Sequence, residues 1–365
     1  MMEMLSLSLK EIKFFKLRYI LIGFILFFVA SLVFIISGLA NGLANDNASS
    51  MKNMNAVSYY VSKDSENRMD RSRFAATDAE KISNANAQPL GIQMFTLKNK
   101  KSDKKLDVTM MTVNPEQFLM PSVTEGKTIS KSSKNEVVAD ITLQKEGAKL
   151  GDELYDENTK TTLKIVGFTE NQTYSHTPTV IMNNNSWYSI FGGKENAGFN
   201  AIALSDTHAS TKADVKDAIK DGKFVEKDAL IKTIPGYEAE QSSLMMMLAF
   251  LIVIAVFVLG AFFYIMTIQK VNQFGILKAI GAKNKFLIGS TMLQVFILSV
   301  VSIGLAIGFA FVLQQIMPNG IPFVFDFKLI LQFGGALLVV SLLGALFSTT
   351  SIVKADPLQA MGRAE

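Results

Sequence analysis

The sequence predicts a membrane protein with four transmembrane α-helices in a one-plus-three order. A mixed α+β extracytoplasmic domain is expected between helices 1 and 2. Three observations predict this. Four stretches carry no charged residue: Tyr19–Asn45, Gln241–Gln269, Phe286–Phe325 and Leu329–Val353. A helix crosses a hydrocarbon core with ~20 apolar residues, so each stretch is long enough to span. Residues 46–240 are polar and hold short alternating or β-branched runs. Lysine and arginine gather at particular helix ends, as they do in cytoplasmic loops.

Bulk composition agrees. Of 365 residues, 49% are hydrophobic and only 19% charged, which is too apolar for an ordinary soluble chain and too polar for one wholly buried in lipid. The net charge of +4 is small, and its placement matters more than its size. With no cysteine there is no disulfide framework, thiolate metal site or lipidated N-terminal Cys.

Taken in order, residues 1–18 read as a cytoplasmic amphipathic helix. Lys10, Lys13 and Lys16 alternate with Ile12, Phe14, Phe15 and Leu17, a pattern suited to the headgroup plane or to simple charge anchoring. Helix 1 is assigned to 19–45, too long for a signal-peptide core and therefore expected as a retained anchor. The outer domain is assigned to 46–240. Strands are expected at Asp107–Val113, Val137–Leu143, Thr161–Phe168, Thr179–Met182 and Asn200–Leu204, with short helices at Asp78–Ser83 and Lys212–Lys220. Helix 2 follows at 241–269 and a cytoplasmic loop at 270–285, rich in lysine through Lys270, Lys278, Lys283 and Lys285. Helix 3 spans 286–314, a short outer loop with the Pro318–Pro322 turn spans 315–328, helix 4 spans 329–353, and a cytoplasmic tail spans 354–365. Four spans place both termini on one side, the cytoplasmic side by charge.

Enzyme signatures are missing. Gly126-Lys127-Thr128 supplies half of a P-loop, but the first glycine position is Pro121, which has no N–H for a phosphate. His176 and His208 are isolated in sequence, and no intrinsic metal, cofactor or nucleic-acid partner is expected. No fixed-period repeat or inverted repeat is visible. Work done by such a chain draws its energy from a partner.

The loop after helix 2 is the candidate contact for that partner. Phe274, Leu277 and Ile280, with Val271 and Ile276 nearby, recur at helical spacing, and lysines are expected on the other face. Such a helix docks into a groove of a soluble partner or rests on lipid. The run Gly275-Ile276-Leu277-Lys278-Ala279-Ile280-Gly281-Ala282 closely resembles the signature of FtsX/MacB-type ABC transporter permeases. Lys354-Ala355-Asp356-Pro357-Leu358 resembles the family's ending, and Val137–Asp140, Gly151-Asp152 and Lys164–Gly167 resemble its outer-domain pattern. The resemblance implies a multi-pass protein of the bacterial plasma membrane that works as a homodimer with two separate ATPase subunits, which bind the ATP. Residues 274–283 would couple to those subunits.

Within the family, Ser37–Ala40, Tyr237 with Ala239–Gln241, and Ala261–Tyr264 with Met266–Lys270 look like the heme-efflux permeases of Gram-positive bacteria. This implies heme as transported substrate and an HrtA-like ABC ATPase partner. Peptide, antibiotic or lipoprotein export, or FtsX-like activation of a cell-wall hydrolase, are the alternatives. Heme iron accepts Met, His, Tyr or carboxylate ligands. Candidate contacts are Tyr237, Glu238 and Glu240 at the outer end of helix 2, Met246 and Met247 just inside it, and Met51 beyond helix 1. Gly38 with Gly42, and Gly304 with Gly308, are small-xxx-small pairs open to two readings: intrachain packing or a dimer seam.

Overall fold

A computed structural model describes residues 2–318 and 321–354. Asn319 and Gly320 of the expected outer turn, and the expected tail from Ala355, lie outside the described residues. The chain forms two compact units, one from residues up to 42 together with those from 242 on, the other Leu43–Gln241.

In the first unit α1 (Met2–Phe14) precedes α2 (Lys16–Asn53), whose last turns belong to the second unit. The helices of the second unit are α3 (Ala76–Ala79), α4 (Thr142–Lys145), α5 (Asn184–Ile190), α6 (Ala209–Ala218) and α7 (Lys227–Lys232). Then come α8 (Tyr237–Ile268), α9 (Val271–Ala279), α10 (Asn284–Ile316) and α11 (Phe327–Lys354). Among the described residues, α2, α8, α10 and α11 are long and apolar enough to cross a membrane. One face of each is internal. Ile22, Leu26, Ala30, Val33 and Phe34 of α2 recur every three or four residues and pack with Leu248, Ala255 and Leu259 of α8, Ile303, Ala306 and Ala310 of α10, and Ile330 and Leu337 of α11. α8 is the least enclosed of the four.

The glycine pair in α2 is resolved. A Cβ on Gly42 would stand 2.0 Å from the Pro322 carbonyl oxygen, and one on Gly38 would stand 2.5 Å from the Phe323 ring. The Val324 N–H donates to the Gly38 carbonyl. These glycines seat the 321–324 loop on α2, so they serve packing within the chain. Gly304 and Gly308 face open space.

The second unit is built on strands β1 (Ser58–Ser62), β2 (Phe74–Ala75), β3 (Ala87–Asn99), β4 (Lys105–Thr112), β5 (Glu125–Gly126), β6 (Glu136–Asp140) and β7 (Glu153–Tyr155). The remainder are β8 (Thr162–Thr169), β9 (Thr173–Tyr174), β10 (Thr177–Met182), β11 (Gly198–Phe199), β12 (Ala201–Leu204) and β13 (Gly222–Glu226). The main sheet runs β13-β1-β12-β3-β4-β10-β6-β8-β5, with β7 bridging β3 and β8. It is mixed: β4–β10 and β6–β8 are parallel, the other pairs antiparallel. Successive side chains on a strand point to opposite faces. Leu106, Val108 and Met110 of β4, Val137 and Ala139 of β6, and Val180 and Met182 of β10 share one apolar cluster. Their neighbours Met111, Val138 and Ile181 join a second cluster on the other face. Both faces are covered, and for that reason these strands read as nearly continuous apolar runs.

The expected strands are present with shifted ends, and Val137–Leu143 ends at Asp140, where Ile141 turns into α4. Besides the short strands β2, β5, β7, β9 and β11, the longer β1, β3 and β13 escape the sequence pattern. β3 is the longest strand, and its Pro89 and Gly91 read as breakers. Partners on both sides override them: residues 87–90 pair with β12 and residues 91–98 with β4.

Candidate functional site

Beyond Asn45 the chain turns polar, yet α2 stays helical to Asn53. Ala48 and Met51, three residues apart, bury into the second cluster of the outer unit and hold these turns in place. Met51 was expected beyond helix 1 as a heme contact. It lies inside α2 and is wholly buried, so its thioether reaches no surface.

The same turns of α2 carry Asp46 and Asn47, which meet His176. Ser175 and His176 form the two-residue turn between β9 and β10, and both have positive φ, 49° and 64°. That is the geometry of a type I′ hairpin turn, which favours Asn and Gly and strains an imidazole-bearing residue. Polar contacts hold it there. The Ser175 N–H donates to the Asn47 carbonyl at 2.7 Å. The His176 Nδ1–H donates to Asp46 Oδ2 at 2.7 Å. His176 Nε2 lies 3.1 Å from Glu240 Oε1 and 3.0 Å from Asn47 Nδ2. A protonated ring donates to Glu240, and a neutral ring accepts from the Asn47 amide. Asn47 Nδ2 also donates to Glu240 Oε2 and to the Pro235 carbonyl, each at 3.3 Å. Burial works against the charged imidazole, but hydrogen bonds and charges from Asp46 and Glu240 outweigh it and hold His176 above its ordinary pKa.

Glu240 is thus joined to a histidine that looked isolated in sequence. Tyr237 packs at the edge of the second cluster, with the Lys52 amine 5.3 Å from its ring centroid. Glu238 is exposed. Met246 and Met247 are exposed on α8, at 58% and 50%. Asp46 and Asn47 were missed, because the period of α2 past the charge-free stretch rests on only Ala48 and Met51.

In the membrane unit the loop signature forms α9. Phe274 is buried against Leu287, with Val271, Leu277 and Ala282 around them. Ile276 and Ile280 point away, at 48% and 78% exposure. Gly275 is buried, while Ala279 and Lys283 are exposed beside Ile280. The exposed face is therefore partly apolar, and the split into an apolar and a lysine face is corrected. The end of α9 is a Schellman cap: the Ala282 N–H donates to the Leu277 carbonyl and the Gly281 N–H to that of Lys278. Gly281 takes φ 104°, a conformation a side chain would strain.

Lys270 departs further from expectation. Read as a loop cation, it is fully buried. Its ammonium donates to Glu11 Oε2 of α1 at 2.8 Å, Tyr19 Oη of α2 at 2.7 Å and Gln294 Oε1 of α10 at 2.9 Å. The Tyr19 hydroxyl and the Gln294 amide close the ring onto Gln294 Oε1 and Glu11 Oε2. Ser8 of α1 donates to the Ser290 carbonyl of α10. α1 is packed against α10, where the sequence pattern alone allowed a helix floating on the headgroups.

Comparison with known proteins follows the same lines. The FtsX-like permease C-terminal family matches residues 245–357. A Staphylococcus haemolyticus (strain JCSC1435) protein named as a hemin transport system permease, HrtB, is 35% identical over 99% of this chain and 100% of its own length. A Staphylococcus epidermidis (strain ATCC 12228) protein of the same name is 32% identical over 98% of this chain and 99% of its own. The solved extracellular domain of YknZ, a noncanonic ABC-type transporter from Gram-positive bacteria, aligns at 14% identity with 45% of this chain and 90% of that one, with a TM-score of 0.33. Four membrane-length helices, the α9 signature between the second and third, and full-length similarity to the HrtB proteins agree: this chain is a membrane protein that belongs to the FtsX-like ABC transporter permease family.

Proposed function

We propose that the chain is the permease subunit of an ATP-driven pump that exports heme for detoxification. It works as a homodimer with two copies of a separate, HrtA-like ABC ATPase, which binds the ATP. Full-length similarity to proteins named as hemin transport permeases carries this reading. The lysine-rich ends at α1 and around α9 lie on the cytoplasmic side, with both termini, and the Leu43–Gln241 unit lies outside. α9 presents Ile276, Ala279 and Ile280 to the ATPase.

Heme is a flat apolar ring with two carboxylates and an iron that takes soft or oxygen ligands. Exposed Met246, Met247 and Glu238 are the residues we assign to contact it. Tyr237 and Glu240 are engaged by Lys52 and His176 and play secondary parts, and buried Met51 plays none. ATP-driven rearrangement of the dimer then lowers heme affinity and releases the cargo outward.

Growth in hemin tests the assignment. Cells lacking this protein become hemin-sensitive, and the purified protein develops a Soret band with hemin. Unchanged tolerance removes heme as substrate and leaves the family membership standing.

A further inference from the structure

The Lys270 network lies outside the cargo contacts and outside the exposed face of α9. Lys270 is the N-cap residue of α9, two residues after the end of α8. Its backbone N–H donates to the Thr267 carbonyl and its own carbonyl accepts from Phe274 N–H, so the residue belongs to both helices. An ammonium has three N–H donors, and here each finds an acceptor on a different helix: α1, α2 and α10. An exposed lysine–glutamate pair holds no fixed geometry. This amine is out of water, and a buried network with every member satisfied holds one arrangement. Removing either partner leaves the other charge without compensation.

We propose that the Lys270–Glu11 pair is a joint that makes α1 part of the coupling assembly. Displacement of α9 is passed through it to α1 and, by way of Gln294, to α10. Lys270 is a positioning residue, because it touches neither cargo nor nucleotide. The joint itself is a property of the membrane unit; its use in transport rests on the pump reading above.

Two measurements separate these levels. The chain has no cysteine, so spin labels at Ser6→Cys on α1 and Gln273→Cys on α9, in labelled chains diluted with an excess of unlabelled ones, report that distance within one chain. Both positions are exposed. In full-length permease in nanodiscs, the joint gives one narrow distance distribution. Lys270→Met broadens it, and the reversed pair Glu11→Lys with Lys270→Glu narrows it again. An unchanged distribution in Lys270→Met overturns the joint. Glu11→Gln keeps the shape and removes the charge, and it broadens the distribution even if Lys270→Met folds poorly. The second measurement is hemin exported per ATP hydrolysed in the reconstituted complex. Lys270→Met lowers that ratio at least tenfold while the ATPase still co-purifies, and an unchanged ratio overturns the coupling role. If wild-type permease binds no ATPase, the pump reading fails, and the label distances still decide the joint.

Discussion

His176 Nδ1 stands 2.7 Å from Asp46 Oδ2, tying a strained hairpin turn to α2 about two turns before its end. Those residues are 130 apart in sequence. The bond and its counterpart at Glu240 make the tie depend on pH. His176 has a raised folded pKa, so its contribution is complete below the unfolded value of about 6.5 and is lost as pH rises through the folded value.

His176 therefore contributes more to the stability of the outer unit at pH 6 than at pH 9. The partly exposed site limits the difference to about 1 kcal/mol or less. Trp187 is the chain's one tryptophan and is buried in this unit, so its fluorescence follows unfolding there. His176→Asn tolerates the positive φ and carries no titratable proton. It should abolish this part of the pH dependence at little cost at pH 9. Equal pH dependence in the variant would rule the clamp out.

Asp152 gives the opposite sign. Its buried carboxylate accepts from the Lys101 amine at 2.5 Å, Asn99 Nδ2 at 3.1 Å and the Lys149 N–H at 3.0 Å. Burial alone would raise its pKa, but those donors win and hold it below the ordinary range. Its stabilisation is present above about pH 3.9 and fades as pH falls through the folded value. Asp152→Ala strands the buried Asn99 amide and should cost the outer unit about 1–3 kcal/mol at neutral pH. Chemical denaturation followed at Trp187 measures it, and a change under about 0.5 kcal/mol, the size of an ordinary surface substitution, would refute it.

Gly42 and Gly304 belong to similar sequence patterns but predict different outcomes. Gly42→Ala drives a methyl into the Pro322 carbonyl and should cost about 1–3 kcal/mol. Gly304→Ala meets open space and should be neutral within about 0.5 kcal/mol. The monodisperse fraction remaining after graded heating in detergent compares them. If both variants lose oligomer and neither loses heat resistance, the seam interpretation of Gly42 replaces the packing one.

Ile280 and Gly281 separate docking from folding. Ile280→Glu places a charge on the exposed side chain of the C-cap residue of α9, whose cap hydrogen bonds are made by backbone alone. It should leave the permease in the membrane and weaken ATPase co-purification about tenfold or more, roughly 1.4 kcal/mol. Gly281→Ala distorts the cap through its positive φ and should cost about 1 kcal/mol of local stability. Full ATPase recovery with Ile280→Glu would argue against α9 as the docking element.

Much of the architecture was legible because its cause is local. Absence of charge over a membrane-length run is a property of consecutive residues, and so is the lysine content of a loop. The α9 signature was readable for the same reason, although Gly281 proved to be there for backbone conformation. β3 was illegible: Pro89 and Gly91 forecast a break that β12 and β4, its two partners, prevent. Met51 was misplaced because polar Asn47, Ser49 and Ser50, buried beside Ala48 and Met51, hid the continuation of α2 into the outer unit.

By itself, the sequence determined four apolar helices, the inserted outer domain and family membership. Tertiary structure alone decided that Lys270 finds Glu11 across 259 residues and that His176 finds Asp46 and Glu240. A charge's partner is set by distance in space and by exclusion of water, and neither quantity is written in the order of residues along the chain.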